Sequence, residues 1–329
     1  MIPVTASAPG KVVVSGEYAV LDGAPAISMA VNRRVEASIS KSAGSTHTLT
    51  TKGYLDGTWR FEMAPGDIDW LDALPAPTAM RLMECIFQEC AWSPDEPARV
   101  VIDSSAFHDA ATGEKLGFGS SAAVAVALAA ACERSIGNTP TAASGARAHR
   151  AFQGNRGSGI DITTSLTGGV LHFVRSQPPV QLHWPDNLLF RLYWSGVAAS
   201  TPARIALTPD TTAGGLHEAA EAAAAAWSSG SVGDIVDSLD AFADALEAFD
   251  STTGVGVFAA GHAEMRRKSK EISDLVYKPC GAGGGDVGIA ITRDADVLAE
   301  FDEAAAAGGF VALDAVLDPR GVTVTPAVQ

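Results

Sequence analysis

The chain has 329 residues, 47% of them hydrophobic and 19% charged, which is ample material for a large core and carries no compositional mark of disorder. Its formal net charge of −15 repels a polyphosphate over any broad surface, which excludes an extended nucleic-acid footprint and leaves small anions to a local pocket of basic side chains and backbone N–H groups. Four scattered cysteines without a CxxC pair exclude a disulfide scaffold and read as reduced thiols, and the absence of a basic-then-apolar leader or a membrane-length apolar run predicts a cytoplasmic protein with no membrane partner.

In chain order, Val12–Val14 and Ala26–Val31, punctuated by Gly16 and Gly23, read as short strands. Val35–Ile39 alternates as a half-buried strand would, Thr46–Thr51 predicts another, Ala79–Cys90 has helical spacing, and Arg99–Asp103 reads as a buried strand. Ala122–Glu133 is almost wholly Ala, Val and Leu, the pattern of a helix packed on several sides. A helix over Ala142–Gln153 and strands over Gly168–Val174 and Leu188–Trp194 follow. Past Pro185 the spacing predicts helices at Gly215–Trp227, Val232–Phe249, Gly261–Val276 and Asp296–Ala307, with strands at Val287–Thr292 and Val322–Thr325. Two domains, residues 1–185 and 186–329, are expected.

Three glycine-rich segments carry the chemistry. Lys115-Leu116-Gly117-Phe118-Gly119-Ser120-Ser121-Ala122 is a turn leading into the Ala-rich helix, where glycines admit an anion, the first N–H groups are unpaired and the helix dipole is positive. A serine there also offers a hydroxyl to Mg²⁺. The same residues suit an ordinary helix cap. A dinucleotide fingerprint fits poorly, since no strand ends a tight turn upstream and no acidic residue follows at the required distance; a Walker A loop lacks its Gly-Lys-Ser/Thr. Gly281-Ala282-Gly283-Gly284-Gly285-Asp286, between a helix and an apolar strand, allows close approach of a ligand or of another chain segment, or is simply a flexible loop. Gly154-Asn155-Arg156-Gly157-Ser158-Gly159-Ile160-Asp161 ends on a carboxylate that either forms an Asx-turn or, beside a lysine, positions an acceptor. Lys11, Lys115, Arg156, Arg204 and Lys278 are the candidate anion-binding cations, and the histidines show no metal-ligand spacing.

Taken in order, these segments resemble the GHMP kinases. Ala8-Pro9-Gly10-Lys11-Val12 with Gly16-Glu17-Tyr18 is similar to the family's N-terminal motif, Gly117–Ala122 to its phosphate loop, and Gly281–Asp286 to its C-terminal glycine motif. Within the family, Gly16-Glu17-Tyr18, Ala148-His149 through Gly157–Asp161, and Trp194–Thr201 resemble the phosphomevalonate kinase branch more than the mevalonate kinase one. Phe118, Val287 and Ile162 depart from the usual pattern, each conservatively.

The resemblance implies an α+β fold with a ribosomal-protein-S5-like N-terminal domain, a ferredoxin-like C-terminal domain and a site in the cleft between them. It implies ATP and Mg²⁺ as cofactors, with phosphates on Lys115, Gly117, Gly119, Ser120, Ser121 and Ala122 and the cation held by Ser121 or Ser120. It also implies Lys11 and Asp161 as catalytic residues, and Glu17, Tyr18, Ser158, Ser200, Thr201, Arg204, Gly283 and Gly284 against the substrate. The expected reaction is phosphorylation of phosphomevalonate, by a monomer or homodimer. The alternatives are another GHMP enzyme (a mevalonate or sugar kinase, or a diphosphomevalonate decarboxylase) or a non-catalytic metabolite sensor.

Overall fold

The structure, a computed structural model, describes residues 1–64, 67–76, 78–155, 157–199 and 214–327. Its frame begins with two long antiparallel strands, β1 (Val4–Ser15) and β2 (Ala26–Lys41), joined through a short 3-10 turn at Ala19–Asp22. The two short strands expected at 26–31 and 35–39 are one sixteen-residue strand. The polar Asn32-Arg33-Arg34 between them stays extended because Arg34 finds partners across the sheet: its Nε donates to Ser7 Oγ at 2.8 Å and its Nη2 to the Gly321 carbonyl at 2.7 Å.

Around this pair a nine-stranded sheet assembles. The second half of β2 pairs antiparallel with β6 (Ala98–Asp103) and its first half with β7 (Val170–Phe173), which carries β8 (Val180–Leu182). β3 (His47–Lys52) runs parallel to β6, and β4 (Gly57–Ala64) and β5 (Asp67–Trp70) extend that edge. The helices of this half are α1 (Arg81–Glu89), α2 (Ser120–Ser135), α3 (Ala142–Phe152) and α4 (Ile160–Thr167). As its composition predicts, α2 is enclosed: it packs on β1 and β2 and is flanked by α1, α3 and α4.

The chain leaves this sheet after β8 and enters a second, wholly antiparallel one at β9 (Leu189–Trp194), so the passage spans Pro185. The second sheet has the order β10-β11-β9-β12, with β10 at Leu275–Pro279, β11 at Val287–Thr292 and β12 at Val311–Leu313. Its helices are α5 (Gly214–Ser229), α6 (Val232–Thr253), α7 (His262–Ser269) and α8 (Ala295–Ala307). α6 starts on a capping box between Ser231 and Asp234 and ends on left-handed Gly254, while Asp294 caps α8. The last strand, β13 (Thr323–Pro326), returns to the first sheet and pairs with β1. One hydrophobic cluster runs from Val12, Ile27 and Leu128 to Leu192, Val276 and Ile289, so the two sheets share a core.

Two expectations are corrected here. The helix predicted over 261–276 ends at Ser269; Asp274, at φ 63°, turns the chain, and Leu275-Val276-Tyr277 enter β10. Aromatic and β-branched residues suit a strand better than a continued helix turn, and β10, although at the edge of its sheet, is buried along its whole length. In consequence Gly281–Asp286 does not link a helix to a strand; it closes the β10–β11 hairpin. The four cysteines are buried free thiols. Among the described residues, no helix is long and apolar enough to cross a membrane.

Candidate active site

The site is built outward from Lys11. The register of β1 against β2 shifts between Pro9 and Gly10, where Asn32 and Arg33 of β2 are left without a partner on β1. Gly10 is needed there, because a Cβ would lie 2.9 Å from the Phe107 ring and 3.0 Å from Phe118. With that space free, the Lys11 N–H donates to the Phe118 carbonyl at 2.9 Å, tying β1 directly to the glycine turn before α2.

In that turn Gly117 and Gly119 have φ of 90° and 75°, conformations that only glycine adopts readily. Gly119 caps α2 without any side-chain hydrogen bond, and its carbonyl accepts from Ala122 and Ala123. The N–H groups of Ser120 and Ser121 have no partner among the described residues, leaving two donors at the positive end of a sixteen-residue helix. The Lys11 side chain lies along the turn: a Cβ on Gly119 would stand 3.0 Å from its Cε.

Lys11 Nζ lies 3.3 Å from Asp161 Oδ1. Asp161 occupies the first turn of α4, which left-handed Gly159 introduces; Ser158 Oγ accepts from the Ile160 N–H at 3.3 Å. The Asx-turn alternative for Asp161 is therefore not the one adopted. Burial works against the Lys11 ammonium, but Asp161, with a smaller contribution from Asp286, outweighs it and holds its pKa above the ordinary lysine value.

The third glycine segment closes the site from the other sheet. A Cβ on Gly281 would lie 3.6 Å from Lys11 Nζ, and one on Gly117 would meet the Asp286 side chain at 2.3 Å. The loop is tied to the rest of the molecule at several points. Gly284 N–H donates to the Val257 carbonyl at 2.7 Å, Asp286 N–H to the Val197 carbonyl at 2.7 Å, and His262, buried in α7, bridges the Gly285 carbonyl and the Tyr277 hydroxyl. Asp286 Oδ1 also accepts from the Ala199 N–H at 2.9 Å.

Glu17 and Tyr18, expected against a substrate, lie behind this loop. Glu17 forms an ion pair with Lys278 in which both side chains are 1% exposed, and accepts from the Gly281 N–H at 3.3 Å. Burial raises the Glu17 carboxyl above its usual range, with Lys278 opposing. Tyr18, at φ 62°, donates its hydroxyl to the Ala282 carbonyl at 2.7 Å. Gly283 and Gly284 are buried in the loop itself. Lys115 reaches over the Tyr54 ring, 4.4 Å from its centroid, and burial lowers its pKa against the pull of Asp286. Arg156, Ser200, Thr201 and Arg204 lie outside the described residues.

Sequence reasoning did not single out the contact of His149, whose Nε2 is 3.1 Å from Ser121 Oγ. Its only signal was its place in the segment that leads to Asp161. As for a metal, no group of three or more His, Cys, Asp or Glu is assembled among the described residues. A partly exposed Ser121 hydroxyl at a helix start, with the nearby carboxylate already on a lysine, suits a cation that takes most of its ligands from a nucleotide and water.

The chain was compared with known proteins. Residues 78–169 match the family described as GHMP kinases N terminal domain. A phosphomevalonate kinase from a Streptomyces species is 26% identical over 86% of this chain and 88% of that protein. A mevalonate kinase from Methanothermobacter thermautotrophicus is 30% identical over 61% of each. Among solved structures, the Streptococcus pneumoniae phosphomevalonate kinase in complex with phosphomevalonate and AMPPNP superposes with a TM-score of 0.77, covering 96% of this chain and 100% of that one at 18% identity.

Proposed function

The chain has the GHMP kinase fold and carries that family's N-terminal domain, and from that premise we propose that it transfers the γ-phosphoryl group of ATP to the phosphate of 5-phosphomevalonate, giving ADP and 5-diphosphomevalonate. The observation that carries the reading is the convergence on Lys11 of three segments distant in sequence: the turn before α2, the start of α4 and the β10–β11 loop. The choice of acceptor rests on the 26% identical relative over most of both chains.

In this reading the ATP phosphates lie on Gly117–Ser121 and the start of α2, where unpaired N–H groups and the helix dipole meet negative charge. Ser121, or Ser120 beside it, would hold a magnesium ion, which when bound would neutralise part of the phosphate charge. Lys11 stabilises the charge that spreads over the transferring phosphoryl group. Its raised pKa keeps it protonated throughout the neutral range. The bond from the β–γ bridging oxygen to the γ-phosphorus breaks as an oxygen of the acceptor phosphate bonds to that phosphorus.

A phosphate monoester, with a second pKa near about 6, is already largely dianionic at neutral pH and has no proton to lose. Asp161 then orients Lys11 and the acceptor. With an alcohol acceptor the same carboxylate would have to take the proton. The test is ADP release with Mg²⁺ and ATP, offering mevalonate, 5-phosphomevalonate and 5-diphosphomevalonate separately. Turnover confined to phosphomevalonate is the expected result. Turnover of mevalonate alone would move the assignment to the alcohol, and silence on all three would remove it.

A further inference from the structure

The contact between Ser121 and His149 is the product of a helix register. α2 and α3 run antiparallel, and they touch closely where Gly145 lies on α2: a Cβ on Gly145 would stand 3.0 Å from the Ala125 carbonyl and 3.4 Å from Ala129 Cβ. His149 is one turn beyond Gly145 and Ser121 one turn before Ala125, so each lies on the contacting face of its own helix. The start of α3 is anchored as well. Glu133, near the end of α2, accepts from the Thr141 hydroxyl at 3.0 Å and from Ser144 Oγ at 2.6 Å. α3 is thus pinned at one end, seated at the middle on a residue without a side chain, and delivers one imidazole to the phosphate turn at the other.

That imidazole is buried. A neutral ring has one acceptor nitrogen, and a serine hydroxyl that donates its single proton to it keeps both oxygen lone pairs for other partners.

We propose that His149 is a positioning residue for nucleotide binding: its Nε2 accepts the Ser121 hydroxyl proton and thereby turns the Ser121 oxygen lone pairs toward the cation that accompanies the nucleotide phosphates. The proposal rests on the reading that the turn before α2 holds those phosphates. Its consequence is that His149 acts through Ser121 alone, on the cation-dependent part of nucleotide affinity and not on the acceptor.

The experiment is calorimetric titration of the full chain with ADP, once with Mg²⁺ and once with EDTA. The gain in affinity that Mg²⁺ confers is the quantity compared. In wild type the gain is present. In Ser121→Ala it falls furthest, and in His149→Ala it falls about tenfold, the size of one hydrogen bond to a polar oxygen. His149→Gln, whose amide oxygen still accepts a hydroxyl proton, keeps most of it, which separates positioning from a general failure of the fold. The double variant Ser121→Ala/His149→Ala binds no more weakly than Ser121→Ala, because the histidine has nothing left to orient. A His149→Ala variant with the wild-type gain, losses that multiply in the double variant, or a Gln variant no better than Ala would each overturn the proposal while leaving the phosphate turn in place. Wild-type protein that binds no ADP, or binds it equally without Mg²⁺, would overturn the reading of the turn and this proposal together.

Discussion

Two lysine–carboxylate pairs lie on either side of Gly281. Lys278 and Glu17 are each 1% exposed, while in the pair of Lys11 with Asp161 the carboxylate is 28% exposed. Gly281 donates its N–H to Glu17, and a Cβ on it would come within 3.6 Å of Lys11 Nζ. The residue chemistry of the two pairs is the same, yet their surroundings divide the work. The sealed pair joins β10 of the second sheet to the loop after β1 of the first and has no room for a ligand. The open pair keeps one carboxylate face toward water, where an acceptor can arrive. A buried ion pair contributes little net stability but is costly to break, and the cost is smaller where the carboxylate left behind reaches water.

Lys278→Met presses this contrast hardest. It leaves the Glu17 charge buried without its counterion and should remove about 3–5 kcal/mol of stability, read from urea denaturation at neutral pH. The double variant Glu17→Gln/Lys278→Met should recover most of that loss. The pH dependence has a definite sign. The folded-state pKa of Glu17 lies above its unfolded value, so as pH falls through that window the folded state takes up a proton that the unfolded state does not, and the contribution of this group moves toward stability. The Lys278→Met deficit should therefore shrink on acidification toward the ordinary glutamate range of about 4.3, and a deficit that grew would contradict the assignment of the sealed charge.

Lys11→Met, at the open pair, should reverse the pattern. Stability should fall by less than at the sealed pair, since the carboxylate left behind is 28% exposed and reaches water, while kcat falls about 10²–10³-fold with the loss of a cation aimed at developing charge. A large fall in melting temperature with little change in kcat would give both pairs the same structural role. The smallest of these effects is expected from Asp161→Asn. With phosphomevalonate, kcat should drop only about tenfold, below the about 10²–10⁴-fold associated with a true general base. A loss in the higher range on a phosphate acceptor would mean that the carboxylate moves a proton after all.

Much of the site could be read along the chain because its chemistry is local. Left-handed glycines at 117 and 119 followed by serines and an Ala-rich run specify a turn, an uncapped helix start and a buried helix with no help from distant residues. Strands such as Arg99–Asp103 and Val287–Thr292 were legible for the same reason, as β-branched runs bounded by turn residues. What local pattern could not supply was the fate of ambiguous segments and the choice of partners. The run 261–276 has helical spacing throughout, and only the demand of the second sheet for a strand makes Leu275–Pro279 extended. Glu17 carries the same sequence signal whether it faces a substrate or Lys278, 261 residues away; burial on both sides decided it. His149 meets Ser121 because Gly145 lets α3 settle on α2. By itself the sequence determined the turns, the helix starts and the reactive residue types, which depend on φ preferences and neighbouring groups. Only the tertiary structure decided which charges are sealed and which are open, because burial and long-range pairing belong to the packing of the two sheets on one core.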